Sequence, residues 1–242
     1  MSKNEDSSRT PINASADLSA DVSADVSAEI SQMRRSYGEA GLGQLPAEPF
    51  TFFRSWIAQA HQNPMVVEAN AMVLSTVDES GQPWARSVLL KGLTEGESPL
   101  FQFYTNYGSA KAQQLSHEPR ASLLFPWYPL ERQVIVTGSV AKVSREETSA
   151  YFRSRPWASQ IGAWASDQSA VLDSPETLQE RWRELSERYP DEVPVPDQWG
   201  GFELTAQTIE FWQGRYSRLH DRARYSRVNN SSSEWEITRL YP

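Results

Sequence analysis

The 242-residue sequence predicts a mainly β, α+β fold: an antiparallel barrel or sandwich with peripheral helices. Three observations predict it. Apolar, β-rich runs recur from Ala71 to the C-terminus, turn-forming clusters separate them, and helical patterns interrupt the series without alternating with strands as βαβ units require.

The elements follow in order. Residues 1–31 read as an acidic tail carrying a four-residue repeat, SADL, SADV, SADV, SAEI, from Ser15 to Ile30. Leu18, Val22, Val26 and Ile30 would form one narrow helical stripe, so the tail is a disordered segment or fraying helix, with a partner-binding helix as the alternative. Residues 32–242 form a single domain. Phe50, Phe53, Trp56, Ile57 and Ala60 recur as a helix face. Then come candidate strands at 71–77, 84–93, 99–106, 121–130 and 132–144, with a turn at 78–83. A helix opens at Ser144, where Glu147 completes a capping box, and stops near Arg155 because Pro156 follows. Another opens at Ser174-Pro175, with Leu178, Trp182, Leu185 and Tyr189 on one face. Strands return at 201–214 and 234–242.

Composition removes several classes of function. The formal net charge of −8 disfavours general nucleic-acid or anionic-membrane binding. There is no Cys, which excludes disulfides, thiolate metal sites and a cysteine nucleophile, and three scattered His argue against zinc. The polar N-terminus is no secretory signal and no run approaches the ~18 apolar residues of a membrane span, so a cytoplasmic location is expected.

Against that acidic background the cationic stretches stand out. In RSVLLK, Arg86 and Lys91 are an odd number apart and should face opposite sides of a strand, serving different ligands or different ends of one; a barrel strand with two snorkelling cations is the plainer reading. In YTNYGSAKA, Ser109 can cap a helix opening at Ala110, where free N–H groups and Lys111 suit an anion, or the segment is an ordinary strand-to-helix turn. In YFRSRPWAS, Tyr151 and Arg155 share a helix face and Ser159 lies just beyond; the three could converge on one phosphate or mark a solvated helix end. Gln168-Ser169 could read a heterocycle's edge. From Gly214 to Arg227 five Arg and one His stand against one Asp. In a strand, Arg218, His220 and Arg222 would project to one side, which is costly unless an anion or electron-rich ring sits there; a surface charge run is the alternative.

These stretches, with FYTN, SLLFPW, ERQV, SQIGAW, WGGF, EFWQG and RLHDR, occur in this order in pyridoxine/pyridoxamine 5'-phosphate oxidases. The sequence resembles that family from about Met33 to its end. The resemblance implies an FMN-binding split β-barrel, built as a homodimer with FMN at the subunit interface. It implies FMN contacts at Arg86, Ser87, Val88, Leu89, Leu90, Lys91, Tyr104, Thr105, Lys111, Gln133, Gln168, Ser169, Trp212 and Arg222. Lys91, Tyr151, Arg155 and Ser159 would hold the substrate phosphate. Arg218, Leu219 and His220 would lie against the pyridine ring, with Arg218 and His220 as the catalytic pair, and Arg34 and Tyr37 would close over the site. The implied reaction is oxidation of pyridoxine or pyridoxamine 5'-phosphate by O2, with hydride transfer from C4' to flavin N5, giving pyridoxal 5'-phosphate and hydrogen peroxide. No metal, nucleic acid or membrane is implied. A split-barrel flavin reductase with another substrate, or a non-catalytic pyridoxal-phosphate carrier, are the alternatives. Two positions depart from the family pattern: Ala110 stands where Arg is common, and Ser36 where Glu is common.

Overall fold

The structure is a computed structural model that describes residues 30, 33, 36–94, 99–229 and 233–242. The chain divides into two units, Met1–Ser36 and Tyr37–Pro242, and the fold is that of the second. The expected tail at 1–31 lies outside the described residues apart from Ile30, and so does Arg34.

Among the described residues, nine strands form one antiparallel sheet that curls into a half-barrel, with five α-helices from Pro49 onward around it. They are β1 (Ala71–Val77), β2 (Pro83–Leu89), β3 (Gly92–Leu93), β4 (Leu100–Asn106), β5 (Arg120–Trp127), β6 (Arg132–Lys142), β7 (Trp199–Gln213), β8 (Asp221–Arg227) and β9 (Trp235–Leu240). The order is β2-β1-β5-β6-β7-β4-β3, with β8 and β9 branching from β7. The helices are α1 (Pro49–Gln62), α2 (Ala110–His117), α3 (Arg145–Ser154), α4 (Trp157–Ala165) and α5 (Pro175–Arg188).

The 15-residue β7 organises the sheet. Along one edge it pairs with β6. Along the other, Trp199–Thr205 pair with β4 and Thr208–Gln213 with β8. The change of partner coincides with a bulge, where β6 steps from Thr137↔Thr208 to Gly138↔Ala206 and leaves Gln207 extra. Gly138 is required there, since a Cβ would sit 1.9 Å from the Thr205 carbonyl oxygen.

Two cores hold these elements. In the larger, Phe50, Phe53 and Trp56 of α1 plug the half-barrel against Phe101, Phe125, Trp127 and Phe211. The smaller joins Phe152, Ile161 and Trp199 under α4 and α5. On the expected face of α5, Leu185 and Tyr189 pack on this cluster, while Trp182 meets Trp157 edge-on from a largely exposed position.

Three expectations differ from the structure. The run 84–93 breaks at Leu90-Lys91, because Leu90 N–H donates to Asn70 O on one side and Lys91 N–H to Gln102 O on the other, carrying the chain between sheet edges. The basic stretch is not yet a strand at Arg218: Tyr216–Arg218 form a 3₁₀ turn, with Ser217 and Arg218 left-handed (φ 55° and 62°), and β8 starts only at Asp221. The alternation that would align Arg218 and His220 with Arg222 is therefore absent. Helix α4 is one that the sequence reading did not anticipate.

Candidate active site

A cavity of about 620 Å³ opens between the end of β2, the end of β4 and the start of α4. Ser87, Val88, Leu89 and Lys91 line it from one side, Tyr104, Thr105 and Lys111 from another, and Tyr151, Arg155, Ser159 and Gln168 close it. The Tyr151–Arg155–Ser159 group meets here although Arg155 lies one residue past α3. The α3 cap (Ser144 Oγ accepting from Glu147 N–H) fixes its start, and Pro156 turns the chain into α4. The N-terminus of α4 opens on the cavity at Pro156 and Ser159, a favourable place for an anion.

The cations here lack counter-charges. No ion pair among the described residues involves Arg86, Lys91, Lys111 or Arg155. Arg155 Nη1 is buried with no hydrogen-bond partner, and burial pushes this guanidinium's pKa down. Lys111 is 8% exposed; its Nζ donates to Gln168 Oε1 (3.0 Å) and Thr105 Oγ1 (3.3 Å). Burial lowers the Lys111 pKa, and the nearby Arg86 charge lowers it further. Arg86 is held from below, donating to Gln114 Oε1 (2.8 Å), to Thr76 Oγ1 and to Leu74 O. Ser109 is fully buried at the N-cap of α2, yet its Oγ has no partner. Two repelling cations, an orphan hydroxyl and an uncapped helix start fit a flavin phosphate. Burial also pushes the Tyr104 phenol up to about 12, so it stays a neutral O–H donor.

A second group lies at the other end of β7. Trp212 pairs with Gln133 on β6 and with Arg222 on β8. His220 sits 4.7 Å from the Trp212 ring, and Tyr37 stands edge-on to both. His220 Nδ1 accepts from Arg215 N–H (3.1 Å), so the neutral ring carries its proton on Nε2. Burial, then the Arg218 charge, holds the His220 pKa below its ordinary 6.5. Arg222 and Arg224 share the buried Glu210, one on each carboxylate oxygen. Arg218 and Leu219 are exposed. None of this group lines the cavity. The two groups sit at opposite ends of a strand that spans roughly 45 Å when extended.

Comparisons with known proteins place the chain in a family. Residues 58–179 match the family model described as pyridoxamine 5'-phosphate oxidase, and residues 199–242 match the pyridoxine 5'-phosphate oxidase C-terminal dimerisation region. A pyridoxine/pyridoxamine 5'-phosphate oxidase of Streptomyces avermitilis is 49% identical over 217 residues, covering 87% of this chain and 95% of its own. The chain belongs to the pyridoxine/pyridoxamine 5'-phosphate oxidase family. An oxidase of the same name from Burkholderia mallei is 48% identical over 88% of this chain and 98% of its own. Among solved structures, PhzG of Burkholderia lata, in complex with tetrahydrophenazine-1-carboxylic acid, superposes with a TM-score of 0.75 at 27% identity, over 84% of this chain and all of that one. A pyridoxamine 5'-phosphate oxidase-related, FMN binding protein of Nostoc punctiforme shares the fold (TM-score 0.64, 20% identity, 78% and 97% covered). The chain is thus an oxidoreductase of this family with a flavin as the indicated cofactor, and its C-terminal strands belong to a dimerisation region.

The family's expected site residues fall into the two groups. The cavity gathers Ser87, Val88, Leu89, Lys91, Tyr104, Thr105, Lys111, Gln168, Tyr151, Arg155 and Ser159. Arg86 lies beneath it and Leu90 is in the core. Ser169 sits beside Gln168 with a left-handed φ of 75° and does not line the cavity. Gln133, Trp212, Arg218, Leu219, His220, Arg222 and Tyr37 belong to the far group. Sequence reasoning missed Asn106, Ser166 and Trp199, which also line the cavity, and the buried Gln114 and Glu210 that hold cations. A polar residue inside an apolar run, such as Glu210 in TIEFW, was the available signal. No helix among the described residues is long and apolar enough to cross a membrane, and none of their acidic, His or Cys groups could hold a metal.

Proposed function

We propose that the chain oxidises pyridoxine 5'-phosphate or pyridoxamine 5'-phosphate with O2, giving pyridoxal 5'-phosphate and hydrogen peroxide, the amine route taking up water and releasing ammonia. The observation that carries this reading is Arg155. A half-buried guanidinium with a buried, unpartnered Nη1, beside Lys91, Tyr151 and Ser159 and without a carboxylate, suits a phosphate monoester. FMN, when bound, supplies the two-electron acceptor and passes the electrons to O2. Arg86, Lys111, Ser109 and Gln168 would hold its phosphate, and Tyr104 and Thr105 its neighbouring surface.

Each active site would combine the cavity of one copy with the Trp212–His220 group of a second, since one chain cannot bring both to one small ligand. There the Arg218 guanidinium favours negative charge developing on the substrate ring. His220 offers a neutral Nε2–H to fix the ring's orientation. The cavity excludes water from the reacting carbon and aligns it by gripping the phosphate. The test is anaerobic. FMN-loaded protein is mixed with pyridoxine 5'-phosphate and the flavin absorbance is followed. Bleaching as pyridoxal 5'-phosphate forms, reversed by air with release of hydrogen peroxide, is expected. Bound flavin that stays oxidised overturns the substrate assignment, and a phosphate-free ring acid of the phenazine type becomes the next substrate to try.

A further inference from the structure

We propose that Trp199 is a positioning residue that holds Arg155 for the phosphate and so sets the preference for phosphorylated over unphosphorylated ligands. This deepens the phosphate reading above and rests on it. The Arg155 Cζ lies 4.6 Å from the centre of the Trp199 ring. Trp199 is itself 6% exposed and stacks on Tyr104 (5.4 Å, 14° between planes), which stacks on Tyr151 (4.0 Å, 25°). Phe152 meets the indole edge-on at 5.1 Å. Gly201 leaves room for the ladder, since a Cβ there would stand 2.7 Å from the Tyr104 ring.

A guanidinium is flat, and its donors lie in its plane. An indole supporting one face by cation–π attraction leaves those edge N–H groups free to fork onto phosphate oxygens. The indole accepts no conventional hydrogen bond from them, so it fixes Arg155 without neutralising it. A carboxylate in the same place would consume the donors that the ligand needs. Tyr151, in the same ladder, also lines the cavity, so the stack orients two phosphate-facing groups at once.

The experiment uses the FMN-loaded full chain as Trp199→Phe, Trp199→Leu, Arg155→Met and the double variant Arg155→Met/Trp199→Leu. Affinities for pyridoxal 5'-phosphate, pyridoxal and inorganic phosphate are measured by calorimetry, with KM and kcat for pyridoxine 5'-phosphate beside them. Trp199→Leu should weaken both phosphate-bearing ligands by about tenfold and leave pyridoxal nearly unchanged. KM should rise while kcat holds, and Trp199→Phe should retain much of the effect. In the Arg155→Met background, Trp199→Leu should change phosphate affinity less than twofold, because the residue acts through Arg155. Equal losses for pyridoxal and its phosphate, or a full Trp199 effect without Arg155, overturn the inference. Wild type that binds phosphate with this coupling but does not oxidise pyridoxine 5'-phosphate sinks the reaction alone. Wild type that binds no phosphate sinks both.

Discussion

The cavity and the C-terminal group are both rich in cations, and they treat them in opposite ways. At the C-terminal end, Glu210 takes the forks of Arg222 and Arg224, and Asp221 pairs with Arg239. In the cavity, Arg86, Lys111 and Arg155 are held by amides, hydroxyls and an aromatic face, none of which cancels charge. Burial without a counter-charge costs stability, and a bound anionic ligand would offset that cost. Charge that folds the chain and charge that binds can thus be told apart by partner chemistry.

The largest effect should come from breaking the paired end. Glu210→Ala strands two arginines, and removing one partner of a buried ion pair costs about 3–5 kcal/mol. The lower figure is expected, because Arg224 is 44% exposed and water screens it. At roughly 2–4 °C per kcal/mol for a domain of this size, thermal unfolding should shift down by about 6–12 °C. An unchanged midpoint would mean that Arg222 and Arg224 are not structural.

Breaking the unpaired end should do the reverse. Arg155→Met removes a desolvated cation and leaves an apolar chain against Trp199, so the unfolding midpoint should hold or rise. Substrate phosphate affinity should fall by about a hundredfold, the worth of one or two charge-assisted hydrogen bonds. Paired measurements of unfolding and KM check it. A lower midpoint with unchanged KM would remove the distinction between the two regions.

The same distinction explains what could be read from the sequence. The strands and α1, α3 and α5 were legible because each has local signals: the AMVLSTV run, the Ser144 cap, Pro175 at a helix start. Helix α4 was not, since its only opening signal is Pro156, which reads equally as a stop. The break at Leu90-Lys91 was hidden because it depends on Asn70 and Gln102, supplied by distant strands. The Tyr151–Arg155–Ser159 group could be listed but not assembled, for its convergence depends on a turn between two helices. Trp199 carries no local mark of its role, and Glu210 only its polarity within TIEFW; both matter through neighbours that only the sheet register brings near.

Ala110 sharpens the comparison at the end proposed to hold the flavin phosphate. It opens on a separate recess lined by Asp78, Glu79, Ser80, Gln113 and Gln114. Ala110→Arg should add a charge-assisted bond to the cofactor phosphate and tighten FMN binding by about tenfold. Fluorescence titration of the apoprotein with FMN checks it. The competing outcome is capture of the new arginine by Asp78 or Glu79, read as unchanged FMN affinity with a raised unfolding midpoint. That result would make the recess another place where protein carboxylates consume cationic charge.

The smallest effect concerns His220, the one titrating group where the two kinds of region would meet. Its folded pKa is lowered, mostly by burial and in part by Arg218. His220 is therefore neutral above its depressed pKa, gains a proton only below the ordinary 6.5, and protonation opposes the folded arrangement as pH falls. Protonating Nδ1 also breaks its bond from the Arg215 N–H, because the nitrogen can no longer accept. Activity should therefore decline on the acid side below pH 6.5, with the turn from Gly214 to His220 loosening over the same range. Arg218→Met should move the NMR titration of His220 upward but short of 6.5, since burial is the larger cause and remains. A titration that does not move on losing Arg218 would place that guanidinium too far away to act on the histidine, and the pair could not then work together on one substrate ring.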